Sequence, residues 1–410
     1  MTDKSPIDPS FLRGMALPRV SRRDFLRGAG ATVGAVGLSA AFAACKISGT
    51  TPTGSPTAAF DWTKQKSNGS FTFANWPYYI DFNHGKRPSI DLFTKQTGIS
   101  VDYKPVILEN ESFFAKIAPL LRGNQATGYD LMVLTNGFIL DEIMRNQWLI
   151  PLDHSKLPNF AKYAGDAVKN PVYDPGNRFT AAWQSGLTGI GYNPDLTGRE
   201  ITSFDDLLDP AFKGKVGMFG DNLDLPNFTM KGIGIDPPIS TPSDWQKAAD
   251  VLTKQKASGV IRKYYTQDYI DALGNGDIAI TMAWSGDIFQ KNAENGNKKL
   301  QFVIPEQGGI LWTDNMMIPI HAANPVDAIT YMNFVYQPSV AAMIADWVDY
   351  ICPVPDAQQI VATDLKDPNV ANSPLVFPNA QDLTRTSRYR VLKPDEVDRW
   401  NGIFQPIYQG

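Results

Sequence analysis

Four short stretches of the chain place aromatic rings beside carboxylates. "NWPYYID" (75–81) gathers Trp76, Tyr78, Tyr79 and Asp81. "GDNLDLPN" (220–227) carries Asp221 and Asp224. "MAWSGD" (282–287) ends in Trp284 and Asp287, and "GGILWTDNMMIP" (308–319) holds Trp312 and Asp314. Trp312 and Asp314 are two apart, so on a strand they share a face, inside an otherwise apolar run. Asp221 and Asp224 are three apart and share a face if helical. These groups suit an organic cation. An ammonium over a Trp or Tyr face gains roughly 0.5–2 kcal/mol, and a carboxylate adds a charge-assisted hydrogen bond about twice as strong as a neutral one. A ligand with amines at both ends and methylenes between needs acids at both ends of its cleft and aromatic walls in the middle.

Each cluster also has a plainer reading. Asp221 and Asp224 could cap a helix ahead of Pro226, Asp287 could cap the next helix, and Trp76 and Tyr79 could be core. Trp312 and Asp314 resist that reading best, because an unpaired buried carboxylate is costly.

The motifs of catalysis are missing. The sequence holds no G-x-S-x-G elbow, no P-loop and no G-x-G-x-x-G after a strand. His84, His154 and His321 are its only histidines, and none stands at metal-ligand spacing to another His or Cys. Asp141-Glu142 and Asp205-Asp206 fall in helical segments with polar faces. No cofactor and no metal site is expected, and binding without chemistry leads. The rival from another class is a secreted hydrolase using Asp221 and Asp224 as its acid pair. A structural lipoprotein is a third reading. Within the binding class, another amine, a cationic amino compound, a metal or an anion would be the rival solute, and a site rich in Asp and Trp argues against the anion.

The elements that must position these residues alternate. Strands are expected at 70–76, 99–106 and 129–135, the last a continuous apolar run of the kind buried on both faces. Helices are expected at 87–98, capped by Ser89 and stopped by Gly98, at 110–123, capped by Asn110, and at 137–149. This series predicts an α/β fold with a mostly parallel sheet. A second series starts near residue 182: a strand at 188–194, a capped helix, break and strand over 203–219, a helix at 240–256, and helix, turn and strand over 265–284. Residues 324–350 must be mainly helical. Two α/β lobes of similar size imply a cleft between them, the default place for a small ligand.

The front of the chain reads as an address. Arg22 and Arg23 precede an uncharged, Gly/Ala-rich run at 28–44, and Cys45 follows at once. This layout predicts a twin-arginine export signal over 1–44. Phe42-Ala43-Ala44-Cys45 resembles a lipobox, so Cys45 is the expected lipidation site; a membrane-spanning anchor with an incidental Cys is the alternative. Residues 45–69 then comprise the lipidated Cys and a Gly/Ser/Thr/Pro linker. Cys352 is left without an intramolecular partner. Removing the leader's six basic and three acidic residues leaves 32 basic and 39 acidic, a formal net charge of −7. That argues against nucleic acid and is compatible with a cationic partner.

The order and spacing of "FANWPYYI", "FTKQTGISVDY", "ENESFFAKI", "YDLMV", "AFKGKVGMF", "GDIAITMAWSGD", "GGILWTDNMMIP" and "ADWVDYICPVPDA", over most of residues 70–355, resemble the spermidine/putrescine-type periplasmic binding proteins of ABC importers. The resemblance implies a two-lobed periplasmic-binding-protein fold, type II-like, with crossover strands and a cleft that closes on ligand. Lobe 1 would comprise 70–182 plus 312–357, and lobe 2 183–311 plus 358–410. It also implies roles. Trp76 and Tyr79 match aromatics after the first strand, and Thr135 a small hydroxyl after the third. Asp221 and Asp224 match an acidic pair at one end of the polyamine. Trp284 and Trp312 match walls of the methylene channel, Asp314 the acid that holds an amine, and Tyr350 a late tyrosine for which Cys352 is the rival. Tyr78 stands where the family often has an acid, Gly137 where it has an aromatic, and "DFNHGKRP" is an insertion. The implied partners are a polyamine, the permease subunits of an ABC transporter and, through the lipid anchor, a membrane. The protein is expected to be a monomer.

Overall fold

The computed structural model describes residues 60–295 and 299–409. The leader 1–44, Cys45 and the linker up to residue 59 lie outside the described residues. Among the described residues ten strands form one sheet: β1 (Ser70–Asn75), β2 (Ser100–Pro105), β3 (Leu131–Thr135), β4 (Thr180–Tyr192), β5 (Val216–Phe219), β6 (Ile261–Tyr265), β7 (Ile280–Trp284), β8 (Gln301–Val303), β9 (Gly309–Met317) and β10 (Thr386–Ser387). The order is β2-β1-β3-β9-β4-β7-β5-β6, with β8 on β4 and β10 on β9.

The sheet is mixed, which corrects the expectation of a mostly parallel one. β1, β2 and β3 are mutually parallel, and so are β5, β6 and β7. Between these groups β4 and β9 run antiparallel to each other, and β9 to β3 and β4 to β7 likewise. The two parallel groups follow from helical crossovers. The central pair cannot be read that way, because it joins residues more than 100 positions apart in sequence. Every residue of β4 is buried. Its first half, "TAAWQSGL", carries too many small and polar residues to show a strand period, so only 188–194 was legible as strand. A bulge at Trp183 turns that indole onto the Tyr79 carbonyl, 3.1 Å away.

Strand alternation feeds two cores. Phe71, Phe73, Leu131 and Val133 face the main core, while Ala74, Met132 and Leu134 face a smaller one built with Phe113, Phe114, Ile117, Leu121, Ile139 and Ile143. The latter come from the helices Asn110–Arg122 and Phe138–Arg145. The helix Pro88–Thr97 stops at Gly98 in the left-handed conformation, φ 75°. Its cap differs from expectation. Ser89 is buried within the first turn, where its N–H donates to Asp81 at 2.7 Å and its hydroxyl also donates to Asp81. Asp81 thus caps the helix from outside it and stands apart from the other acids. Asn110 is likewise not a cap; its side chain binds Thr135. Residues 324–350 form two helices, Pro325–Phe334 and Pro338–Val348, because Pro338 cannot continue the first. Among the described residues no helix is long and apolar enough to cross a membrane.

Candidate functional site

In parallel sheets the space beyond the carboxyl ends of the strands is where ligands bind. Here that space is a cleft of about 1080 Å³, partly open to solvent. Trp76–Tyr79 follow β1, Glu109–Glu111 follow β2, and Thr135 ends β3. Asp221 and Asp224 follow β5, Tyr265 ends β6 with Thr266 and Gln267 after it, and Trp284 and Asp287 stand at the end of β7. β9 passes through with Trp312 and Asp314, and late returns of the chain add Tyr350 and Tyr389. All nine expected residues, Trp76, Tyr79, Thr135, Asp221, Asp224, Trp284, Trp312, Asp314 and Tyr350, line this one cleft.

Asp314 is 4% exposed. Its two oxygens accept from the Tyr79 hydroxyl at 2.7 Å and the Thr135 hydroxyl at 2.6 Å. Thr135 is held in turn by Asn110 at 3.0 Å. No cation pairs with Asp314 among these contacts, and burial pushes its carboxyl up to about 6 against the pull of the two hydroxyls. Trp312 lies beside it over Gly186, its cross-strand partner. A Cβ on Gly186 would sit 2.3 Å from the indole ring, so only glycine leaves room. The Trp312 N–H donates to Thr188 at 3.1 Å, and the Thr188 hydroxyl donates to Asp224 at 2.5 Å. Asp224 accepts also from Tyr389 at 2.9 Å and from the Trp284 N–H at 3.0 Å. One carboxylate thereby fixes two of the aromatic walls.

Asp221 accepts the backbone N–H groups of Leu223 and Asp224 at 2.7 and 2.5 Å, at the start of the helix Asp224–Gly232. Asp221 thus caps this helix while it lines the cleft, and Asp224 is the helix's first residue. Burial, then the charges of Asp224 and Glu111, drives Asp221 well above the usual carboxylate range, and burial raises Asp224. Asp287 lies in the first turn of the helix Ser285–Asn295 and accepts from Tyr350 and Tyr269, each at 2.9 Å. Tyr350 packs edge-on to Tyr79 at 5.4 Å and against Trp312 at 5.5 Å, and the rival Cys352 is buried away from the cleft.

Asp221, Asp224, Asp287, Asp314, Glu109 and Glu111 line the cleft, and no Lys, Arg or His is among its described lining residues. Sequence reasoning missed Glu109, Glu111, Gln290 and Tyr389. An acid in the first turn after the end of a parallel strand was the available signal for Glu111. Tyr389 had none, since its segment is aperiodic. Among the described residues no group of three or more His, Cys, Asp or Glu is placed to hold a metal ion.

An α/β sheet crossed by two long central strands, with a cleft at the strand ends, defines a two-lobed solute-binding protein. The chain belongs to the bacterial extracellular solute-binding protein family, whose model matches residues 128–385. It is 28% identical over 344 residues to the spermidine/putrescine-binding periplasmic protein of Escherichia coli, covering 83% of this chain and 91% of that one. It is 31% identical over 343 residues to the putrescine-binding periplasmic protein PotF of the same organism, covering 79% and 87%. Its fold is similar to that of the substrate-binding protein PotD of Streptococcus pneumoniae, with TM-score 0.69 at 22% identity, covering 83% and 98%. The TpPotD lipoprotein of Treponema pallidum gives 0.70 at 19%, covering 83% and 100%.

Proposed function

We propose that this protein captures a polyamine of the putrescine/spermidine class outside the cytoplasm and delivers it to the permease of an ABC transporter. The observation that carries the reading is a cleft with six carboxylates, aromatic walls and no lining base. A ligand bearing two or more ammonium groups on a methylene chain supplies the missing charge and fills the apolar middle. Trp76, Trp284, Trp312 and Tyr350 are the walls. Asp314, held by Tyr79 and Thr135, takes one amine, and Asp221 with Asp224 takes another. The lobes, 70–182 plus 312–357 and 183–311 plus 358–410, close because only the closed form completes the cation's shell. The protein works as a monomer tethered by lipid at Cys45, and it catalyses no reaction. The hydrolase reading has no carboxylate pair left free to act: both oxygens of Asp224 hold the Thr188, Tyr389 and Trp284 donors, which leaves Asp221 without a free acid partner.

Calorimetric titration with putrescine, spermidine and a neutral diol tests the reading. Micromolar or tighter binding of at least one amine, and none of the diol, is the expected result. Failure of both amines to bind below millimolar overturns it.

A further inference from the structure

The two lips of the cleft carry like charge where they meet. Glu111 sits in the first turn of the helix after β2, on one side. Asp221 and Asp224 follow β5, on the other. The lips touch at this end: Leu223, between the two aspartates, is buried against Gly137, and a Cβ on Gly137 would lie 2.9 Å from the Leu223 Cδ1. Gly137 has φ 151°, which side-chain-bearing residues rarely adopt, so the close approach is built into the backbone. The charges acting on Glu111 are those of Glu109 and Asp224, and those on Asp221 are Asp224 and Glu111. Tyr408 and Tyr389 are further titratable neighbours of the group, Tyr389 through its hydrogen bond to Asp224. Glu111 also complements the helix N-terminus, but that role gives no reason for it to face two further acids across a cleft.

We propose that Glu111 is a ligand contact on the lip opposite Asp221 and Asp224, and that the three carboxylates together select a primary ammonium at this end of the polyamine. The inference rests on the polyamine reading and extends it. A primary ammonium has three N–H donors arranged around one bond to its chain. Glu111 from one lip, with Asp221 and Asp224 from the other, offers acceptors on both sides of such a group. A neutral acetamide at the same place brings one donor, no charge and a carbonyl oxygen that faces carboxylates. Without ligand these acids have, among the described residues here, only one another as charged neighbours, and burial pushes Glu111 up to about 7. At neutral pH it is then partly protonated, and an arriving ammonium ionises it and expels that proton.

The test compares the wild type with Glu111→Gln by calorimetry at pH 7, in two buffers of different ionisation enthalpy. Spermidine and spermidine acetylated at either terminal amine are the ligands. The wild type is expected to release protons on binding spermidine and to reject the form acetylated at the amine held here. Glu111→Gln is expected to weaken spermidine by tenfold or more, to narrow the acetyl discrimination, and to lower proton release. Unchanged affinity overturns the proposal. A loss of affinity with wild-type proton release and acetyl discrimination overturns it too, because that is the pattern of a helix-end residue. No binding by the wild type sinks the polyamine reading and this contact together, whereas a binding wild type with an indifferent variant sinks the contact alone.

Discussion

Asp314→Asn keeps the side chain's shape and removes its charge, so it isolates what the buried carboxylate does. In the folded protein the carboxyl rises from 3.8 to about 6. Holding it ionised at neutral pH therefore costs the empty protein roughly 3 kcal/mol relative to water. The variant is relieved of that cost but gives up an acceptor. Of the two hydroxyls now on the carboxylate, from Tyr79 and Thr135, both lose a charged partner and one loses its acceptor, at about 1–3 kcal/mol. These nearly offset, so the unliganded variant should melt at or a few degrees above the wild type. Binding moves the other way. A hydrogen bond from ammonium to carboxylate is worth about 1.5–3 kcal/mol, which is roughly a 10- to 150-fold loss of affinity. Calorimetry with spermidine and a thermal melt of the empty protein measure the two halves. An affinity within threefold of wild type would show that no ammonium touches Asp314. A large drop in the unliganded melting temperature would show that the carboxylate is structural.

Gly186→Ala should push a methyl into the Trp312 ring. Urea unfolding should report about 1–3 kcal/mol of destabilisation, with a shifted tryptophan emission, and unchanged stability would mean that the ring is not seated there. Trp284→Phe keeps an aromatic wall but removes the donor to Asp224; spermidine affinity should fall by about threefold to tenfold, and no change would separate that indole from the site. For pH, the folded values of Asp314 and Glu111 are raised, so the empty fold binds protons more tightly than the unfolded chain. Their contribution to stability is present in acid and is lost as pH rises through about 6 and about 7. Binding has the opposite sign: the affinity for spermidine should fall from pH 7.5 to pH 5 as those carboxylates take up protons, while the ligand stays charged. A flat profile, measured by calorimetry, would refute the claim that both acids meet the ligand.

How much of this was legible follows from what each residue does locally. Trp312 and Asp314 could be singled out because a charge on the apolar face of a strand has no local use. The pairs at Trp76 and Trp284 stood out because they end strands that the 2-residue and 3.6-residue periods make visible. Glu111 was hidden by its double role: "ENESFF" reads as an ordinary helix start, and nothing local says that Asp221 lies opposite. Tyr389 and the short β10 were hidden because pairing with β9 and hydrogen bonding to Asp224 are tertiary facts. The first half of β4 and the whole of β6 carry the same lesson. Their strand state comes from neighbours brought in across the fold, so the sheet order could not be read from patterns along the chain.

The acids of the cleft are also tied to the walls around them. Asp224 is tied to Trp284, to Tyr389 and, through Thr188, to Trp312, and Asp314 to Tyr79 and Thr135. Each carboxylate thus holds walls from more than one part of the sheet in place before any ligand arrives. Such a site is costly when empty, because several buried like charges share one cleft. A monovalent cation could screen one of them, but it could not reach from Asp221 to Asp314 while filling the apolar space between Trp284 and Trp312. A flexible chain with separated ammonium groups does both. The separation of charge along the ligand, more than its total, is then what the cleft measures. A diamine too short to span from Asp221 to Asp314 should bind with the affinity of a single ammonium, however favourable its one contact.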